Sequence, residues 1–162
     1  MIREVKISDA DRIAEIYNYY IEHTIITFEE KQVTAEEMRQ RIKSILEKNY
    51  PYIVYEERGL LTAYAYLNNW RLRSAYNRTL ETSIYVDIEY SKKGQGSVLY
   101  KELIEKAKAA NIHSLIAGIS LPNDISRKLH EKFGFHLVGN FRESGFKFNR
   151  WIDTEFWQLM LE

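Results

Sequence analysis

Two hydrophobic rhythms alternate along this chain, and their alternation limits the fold more than any other feature. A strand buries every second side chain, whereas a helix buries every third or fourth. Strand-like runs stand at "IREV", "YIVYEE", "LLTAYAYLNN", "TLETSIYVDI", "SLIAGIS", "FHLVGNF" and "TEFWQLML". Between them lie helical stripes: Ile13, Ile16, Tyr17, Tyr20 and Ile21; Met38, Ile42, Ile45 and Leu46; Val98, Leu99, Leu103, Ile104 and Ala107; and the segment "ISRKLHEKFG". Strands and helices that intermix, with several hairpins, predict an α/β (or α+β) sandwich built on one mixed sheet.

The punctuation agrees with that reading. Ser8 with Asp11 offers a capping box for a first helix that runs to about His23, and Thr34 with Glu37 offers a second. The segment "TIITFEEKQVT" between them breaks the helical period. Asn49 to Pro51 ends the second helix. Arg58-Gly59 reads as a hairpin turn, and Gly134 as a helix stop. The chain has 162 residues with no repeat or linker, so 1–162 reads as a single domain.

Composition narrows the function. Lysine and arginine number 23 and aspartate and glutamate number 23, which leaves no basic excess for a nucleic-acid partner. No run is apolar and long enough for a signal peptide or a membrane span. Cysteine is absent, which excludes thiolate nucleophiles, disulfides and cysteine metal sites, and suits a cytoplasmic protein. No two histidines stand at metal-ligand spacing, so no metal is expected. Twelve tyrosines can line a cleft with rigid rings that carry polar tips.

The stretch "YSKKGQGSVLY" joins a strand to a helix. It fits neither a P-loop nor a dinucleotide turn, since the required lysine and third glycine are missing. Two readings stay open. One is a plain connection with solvated lysines. The other is a diphosphate clamp, in which the amides of Lys93, Gly94, Gln95, Gly96 and Ser97 face an anion at a helix N-terminus and Lys92 and Lys93 add charge.

Together, "ETSIYVDIEYSKKGQGSVLY" and "LPNDISRKLHEKFGF" resemble the coenzyme A site of the Gcn5-related N-acetyltransferase (GNAT) superfamily. Gly94, Gly96, Asn123, Ser126 and "EKFGF" match its motifs, while Ser91 stands where the family usually has arginine or glutamine. With "IREVKISDADRIAEIYNYYIEHTIITFE", "NNWRLRSAYNRTLETSIYV" and "SGFKFNRWIDTEFWQ", nearly the whole chain resembles the phosphinothricin and methionine sulfoximine acetyltransferase branch. The resemblance implies a GNAT fold, with a mixed, mostly antiparallel sheet of six or seven strands and about four helices. It implies acetyl-CoA as co-substrate, a small amine as acceptor and a homodimer.

Without cysteine, acetyl transfer to an amine runs most simply by direct attack in a ternary complex. The ammonium must first lose a proton, and a free α-amino group titrates near about 8. Glu81 is the candidate base. Strand alternation puts it beside Ser83 and Tyr85, opposite Leu80, Thr82, Ile84 and Val86; an exposed carboxylate in an ion pair is the competing reading. His130 is the candidate acid, by resemblance, against a packed helix histidine. The resemblance also assigns Asn123 and Ser126 to the pantetheine arm or diphosphate, with capping as a compatible role, and the backbone of Tyr85, Val86 and Asp87 to the pantetheine amides. An amino-acid carboxylate calls for arginine. Arg71 and Arg73 are candidates, with Phe28, Trp70 and Tyr76 as walls; solvated arginines on an exposed hairpin are the alternative. Two other functions compete: transfer to a polyamine, aminoglycoside or protein N-terminus, and a non-catalytic module that binds coenzyme A.

Overall fold

The computed structural model describes residues 1–91 and 93–161, so the expectation for Lys92 lies outside the described residues. The strands are β1 (Ile2–Glu4), β2 (Tyr52–Glu57), β3 (Leu60–Asn69), β4 (Thr79–Val86), β5 (Ser114–Ser120), β6 (His136–Lys147) and β7 (Arg150–Met160). The helices are α1 (Ala10–His23), α2 (Ala35–Glu47), α3 (Gln95–Ala109) and α4 (Asp124–Lys132). One sheet takes the order β1-β2-β3-β4-β5-β7-β6, antiparallel at every pairing except β4 with β5.

Alternation along the strands feeds two cores. Ile53, Ala63, Ala65 and Leu67 face Leu99, Leu103 and Ala107 of α3. Tyr52, Val54 and Tyr64 face Ile13, Tyr17 and Ile42 of α1 and α2. The rings of Tyr52, Tyr64, Tyr66 and Tyr85 form a stacked row on this second face.

The capping box at Thr34 and Glu37 forms, with the Thr34 hydroxyl accepting from the Glu37 amide at 3.1 Å. The one expected at Ser8 and Asp11 does not. A short 3-10 turn, Ile7–Asp9, precedes α1, so the Asp9 carboxylate instead accepts from the Lys6 amide at 2.7 Å and from Arg3. Asp11 pairs with Arg39 of α2. Helix α3 starts at Gln95, three residues before the first apolar position of its stripe; Tyr100 is buried on its inner face and Val98 is exposed. The last two strands extend well past "FHLVGNF" and "TEFWQLML", because β6 is a bulged edge strand with both faces largely exposed and carries little alternation to read.

Candidate active site

The site arises where the sheet comes apart. Strands β4 and β5 pair only from Thr79 to Glu81 against Ser114 to Ile116, and beyond that they part. The gap holds a cavity of about 230 Å³. Glu81 to Tyr85 line one wall and Ala117 to Ser120 the other; Asn123, Ser126 and His130 of α4 close one end, and Ile26, Thr27 and Phe28 cover it. A second cavity of about 340 Å³ lies alongside, walled by Ser144, Thr154 and Phe156 of the β6–β7 hairpin. Ile26, Phe28, Glu81, Gly118 and Ser120 line both, so Glu81 stands at their junction.

Burial raises the Glu81 carboxyl above the ordinary glutamate range, and Arg71 pulls in the opposite direction. Gly118 stands next to the carboxylate, where a Cβ would be in ordinary contact, 3.7 Å from Glu81 Oε1. His130 is 4% exposed and wedged edge-on against Tyr100 and Phe135. Its Nδ1 donates to the Ser126 carbonyl at 2.7 Å, which leaves Nε2 as an acceptor. Burial lowers the imidazole below the ordinary histidine value, against the opposing pull of that bond, so the ring rests neutral at pH 7. His23, His113 and His136 are exposed, as their positions suggest.

Gly94 adopts φ 80° and caps α3, in the left-handed region that glycine occupies without strain. The first in-helix bond belongs to Val98, whose amide reaches the Gly94 carbonyl at 3.2 Å. Among the described residues the amides of Gln95, Gly96 and Ser97 find no backbone acceptor, and they stand at a helix N-terminus, an arrangement that suits an anion. The Gln95 side chain does not serve that site. It is buried, accepting from Thr62 at 2.9 Å and donating to Glu57 at 2.7 Å. Lys93 is exposed with Nζ 4.5 Å from the Tyr90 ring, and the Ser91 hydroxyl turns back to the Ile88 carbonyl at 2.8 Å. A cation that sequence reasoning missed takes part here: Lys132, at the end of α4, donates to Ser97 Oγ at 3.1 Å. Only the packing of α4 against α3 brings them together.

The open edge of β4 can be read from its ladder. The Asp87 amide bonds the Thr62 carbonyl at 2.8 Å, so the alternation of an antiparallel pair turns Tyr85 and Ser83 toward β3 and Val86, Ile84 and Thr82 toward the gap. Of Tyr85, Val86 and Asp87, the three expected to meet pantetheine, Val86 alone turns its backbone amide and carbonyl toward the gap, together with Ile84. Tyr20 donates its hydroxyl to the Val86 carbonyl, which leaves the Val86 amide for the gap. The Asp87 carboxylate is occupied by Arg12 and by the Glu89 amide. Asn123 caps α4 by accepting from the Ser126 amide at 3.1 Å, while both residues line the cavity.

Of the five residues expected to hold the acceptor, Phe28 alone lines the cavities. Trp70, Arg71, Arg73 and Tyr76 lie on the loop that joins β3 to β4. Arg71 lies 4.9 Å above the Trp70 ring, which meets Tyr76 edge-on at 5.3 Å. Arg73 is exposed, and its carbonyl starts the short turn Ser74–Tyr76. Ile26, Thr27 and Ser120 do line the site; the broken helical period before Phe28 was the signal for the first two, and nothing in the sequence marked Ser120. Among the described residues, no cluster of three histidines or carboxylates could hold a metal ion, and no helix is long and apolar enough to cross a membrane.

A seven-stranded mixed sheet that parts beside a glycine-capped helix, with a desolvated glutamate in the gap, is the arrangement of an acetyl-CoA-dependent acetyltransferase. The acetyltransferase (GNAT) domain family matches residues 2–156, and the chain belongs to it. Among its relatives, the phosphinothricin N-acetyltransferase of Streptomyces viridochromogenes is 35% identical over 161 residues, covering 99% of this chain and 87% of that protein. The L-methionine sulfoximine/L-methionine sulfone acetyltransferase of Salmonella typhimurium is 34% identical, covering 99% and 94%. A phosphinothricin acetyltransferase from Sinorhizobium meliloti, solved in complex with acetyl-CoA, superposes with a TM-score of 0.96 at 36% identity, covering 99% of this chain and 88% of that one.

Proposed function

We propose that this enzyme acetylates the α-amino group of a small amino-acid-like acceptor, of the phosphinothricin or methionine sulfoximine type, by direct attack in a ternary complex. One observation carries the reading: Glu81, its carboxyl raised by burial, stands where two cavities meet. One cavity leads to α4, and the other opens toward the β6–β7 hairpin. Relatives that act on such acceptors over nearly the same length support the choice of substrate class.

Bound acetyl-CoA supplies an activated acyl thioester. The free amides of Gln95, Gly96 and Ser97, with Lys132 beside them, would hold its diphosphate, and the open edge of β4 its amide arm. Glu81 takes the proton from the acceptor ammonium, and its raised pKa narrows the gap to an amine near about 8. His130 rests neutral with Nε2 as acceptor, so it must take up a proton before passing one on. Arg71, whose charge opposes the rise of the Glu81 pKa, is the cation assigned to the acceptor carboxylate, approaching from the β3–β4 loop outside the two cavities.

The cytoplasm suits a chain with no cysteine. A homodimer would cover Phe141, Phe146, Phe148 and Trp151, which the β6–β7 hairpin exposes.

A thiol-release assay across amino acids, their phosphinic and sulfoximine analogues, polyamines and aminoglycosides tests the reading. The amino-acid analogues should turn over and the polyamines should not. Coenzyme A binding without turnover of any acceptor would instead identify a binding module.

A further inference from the structure

The segment "GFKFNRW" contains a buried cation that the chemistry above does not use. Lys147 ends β6 and is 2% exposed. Its ammonium donates to the Thr24 carbonyl at 2.8 Å and to the Thr27 carbonyl at 2.7 Å, and the Phe148 ring lies 5.0 Å from Nζ. A buried ammonium is costly unless its N–H bonds find acceptors, and packing alone would be served as well by an apolar side chain of this length. The acceptors here are two carbonyls of one irregular segment, which no helix or strand can satisfy.

That segment covers the site. Ile26 and Phe28 wall both cavities, and Thr27 walls the one within the β4–β5 gap. Two further contacts hold it to the same side of the sheet. Ser120 Oγ donates to the Ile25 carbonyl, and the Phe28 ring lies flush on Gly145, where a Cβ would come within 2.3 Å of it. Gly145 and Lys147 are two residues apart on β6 and so share a face.

We infer that Lys147 is a positioning residue for the acceptor: it fixes Thr24 to Phe28 against the sheet so that Phe28 stands at a set distance from Glu81. It touches neither ligand. This assignment rests on the reading of the acceptor cavity proposed above, and it predicts that the clamp governs acceptor affinity while the coenzyme side is indifferent to it.

Steady-state kinetics of Lys147→Met, with calorimetry of acetyl-CoA binding, test this. The acceptor KM should rise on the order of ten-fold, while kcat falls less than about three-fold and acetyl-CoA affinity stays within about two-fold. Gly145→Ala displaces only the Phe28 ring, and should shift the acceptor KM in the same direction if the methionine variant does not fold. Amide exchange of the peptide spanning 24–30 should quicken in Lys147→Met while α3 keeps its protection. An unchanged acceptor KM in folded variants of both kinds overturns the inference, as does a parallel loss of acetyl-CoA affinity. If the wild type turns over no acceptor in the panel, the proposed substrate class falls; the clamp is then judged by the exchange of 24–30, and unchanged exchange refutes it.

Discussion

A carboxylate on the parting edge of a strand loses hydration without gaining an ion pair, and Glu81 is in that position. Its raised pKa has two consequences of opposite sign. As a base it must be ionised, so kcat/KM should fall as pH drops through a value above the ordinary glutamate range. Glu81→Gln should remove that acidic limb and lower kcat about 100-fold or more, read by thiol release at several pH values, with acetyl-CoA affinity retained. For stability, a carboxyl whose folded pKa exceeds its unfolded one favours folding most when protonated. The folded state is therefore penalised as pH rises through the raised pKa, and at pH 7 the glutamine variant should melt no lower than the wild type. A variant that loses both turnover and thermal stability would point to a structural carboxylate. His130 titrates in the other direction: nitrogen-resolved NMR should find the neutral Nδ1–H tautomer at pH 7, with protonation below the usual histidine value. Glu81 was legible from its strand position together with the family resemblance, and His130 from the resemblance of the "LPND…LHE" segment. The inward turn of Gln95 was not, since its partners Thr62 and Glu57 lie on a hairpin more than thirty residues earlier in the chain.

At the scale of elements, local chemistry and long-range packing separate cleanly. Thr34 and Glu37 cap α2 with atoms three residues apart, and such a box is readable from the chain alone. Asp9 takes the cap before α1 because Arg3, on a strand of the sheet, holds it there, and no local pattern announces that. The same distinction gives a matched pair of variants. Thr34→Ala should cost about 1 kcal/mol of stability through the lost cap and leave both Michaelis constants alone. Gly94→Ala meets no atom within 4 Å, so its effect is conformational: an alanine at φ 80° costs roughly 1 to 2 kcal/mol and biases the turn away from the left-handed region. The amides of Gln95, Gly96 and Ser97 then lose their common direction. Acetyl-CoA affinity should fall in Gly94→Ala and hold in Thr34→Ala when both are measured by calorimetry. Equal affinity in the two would show that the turn holds no diphosphate.

Over the whole molecule, the sheet from β1 to β4 departs from regular pairing only at a shift beside Tyr55 and Glu56, whereas the β6–β7 pairing shifts register twice. The regular half was read from alternation; the β6–β7 hairpin was read short because an exposed edge strand has no buried face to impose a period. That hairpin carries Phe141 at 61% exposure and Phe146 on β6, the strand that ends the sheet, Phe148 in the turn, and Trp151 at 62% exposure on β7. A bulged edge with four large exposed rings is apolar surface that a second copy of the chain can cover. The same hairpin supplies Ser144, Thr154 and Phe156 to the cavity beside Glu81, so covering its outer face also steadies the acceptor wall. Light scattering should therefore find a dimer, and Phe146→Glu with Trp151→Glu should yield a monomer. The monomer should bind acetyl-CoA as before, since β5 separates β4 from β7 and its substituted ring in the sheet order. Its acceptor KM should rise several-fold, because the wall formed by β6 and β7 loses its backing. A wild-type monomer at micromolar concentration would remove the dimer, and with it this link between assembly and acceptor binding.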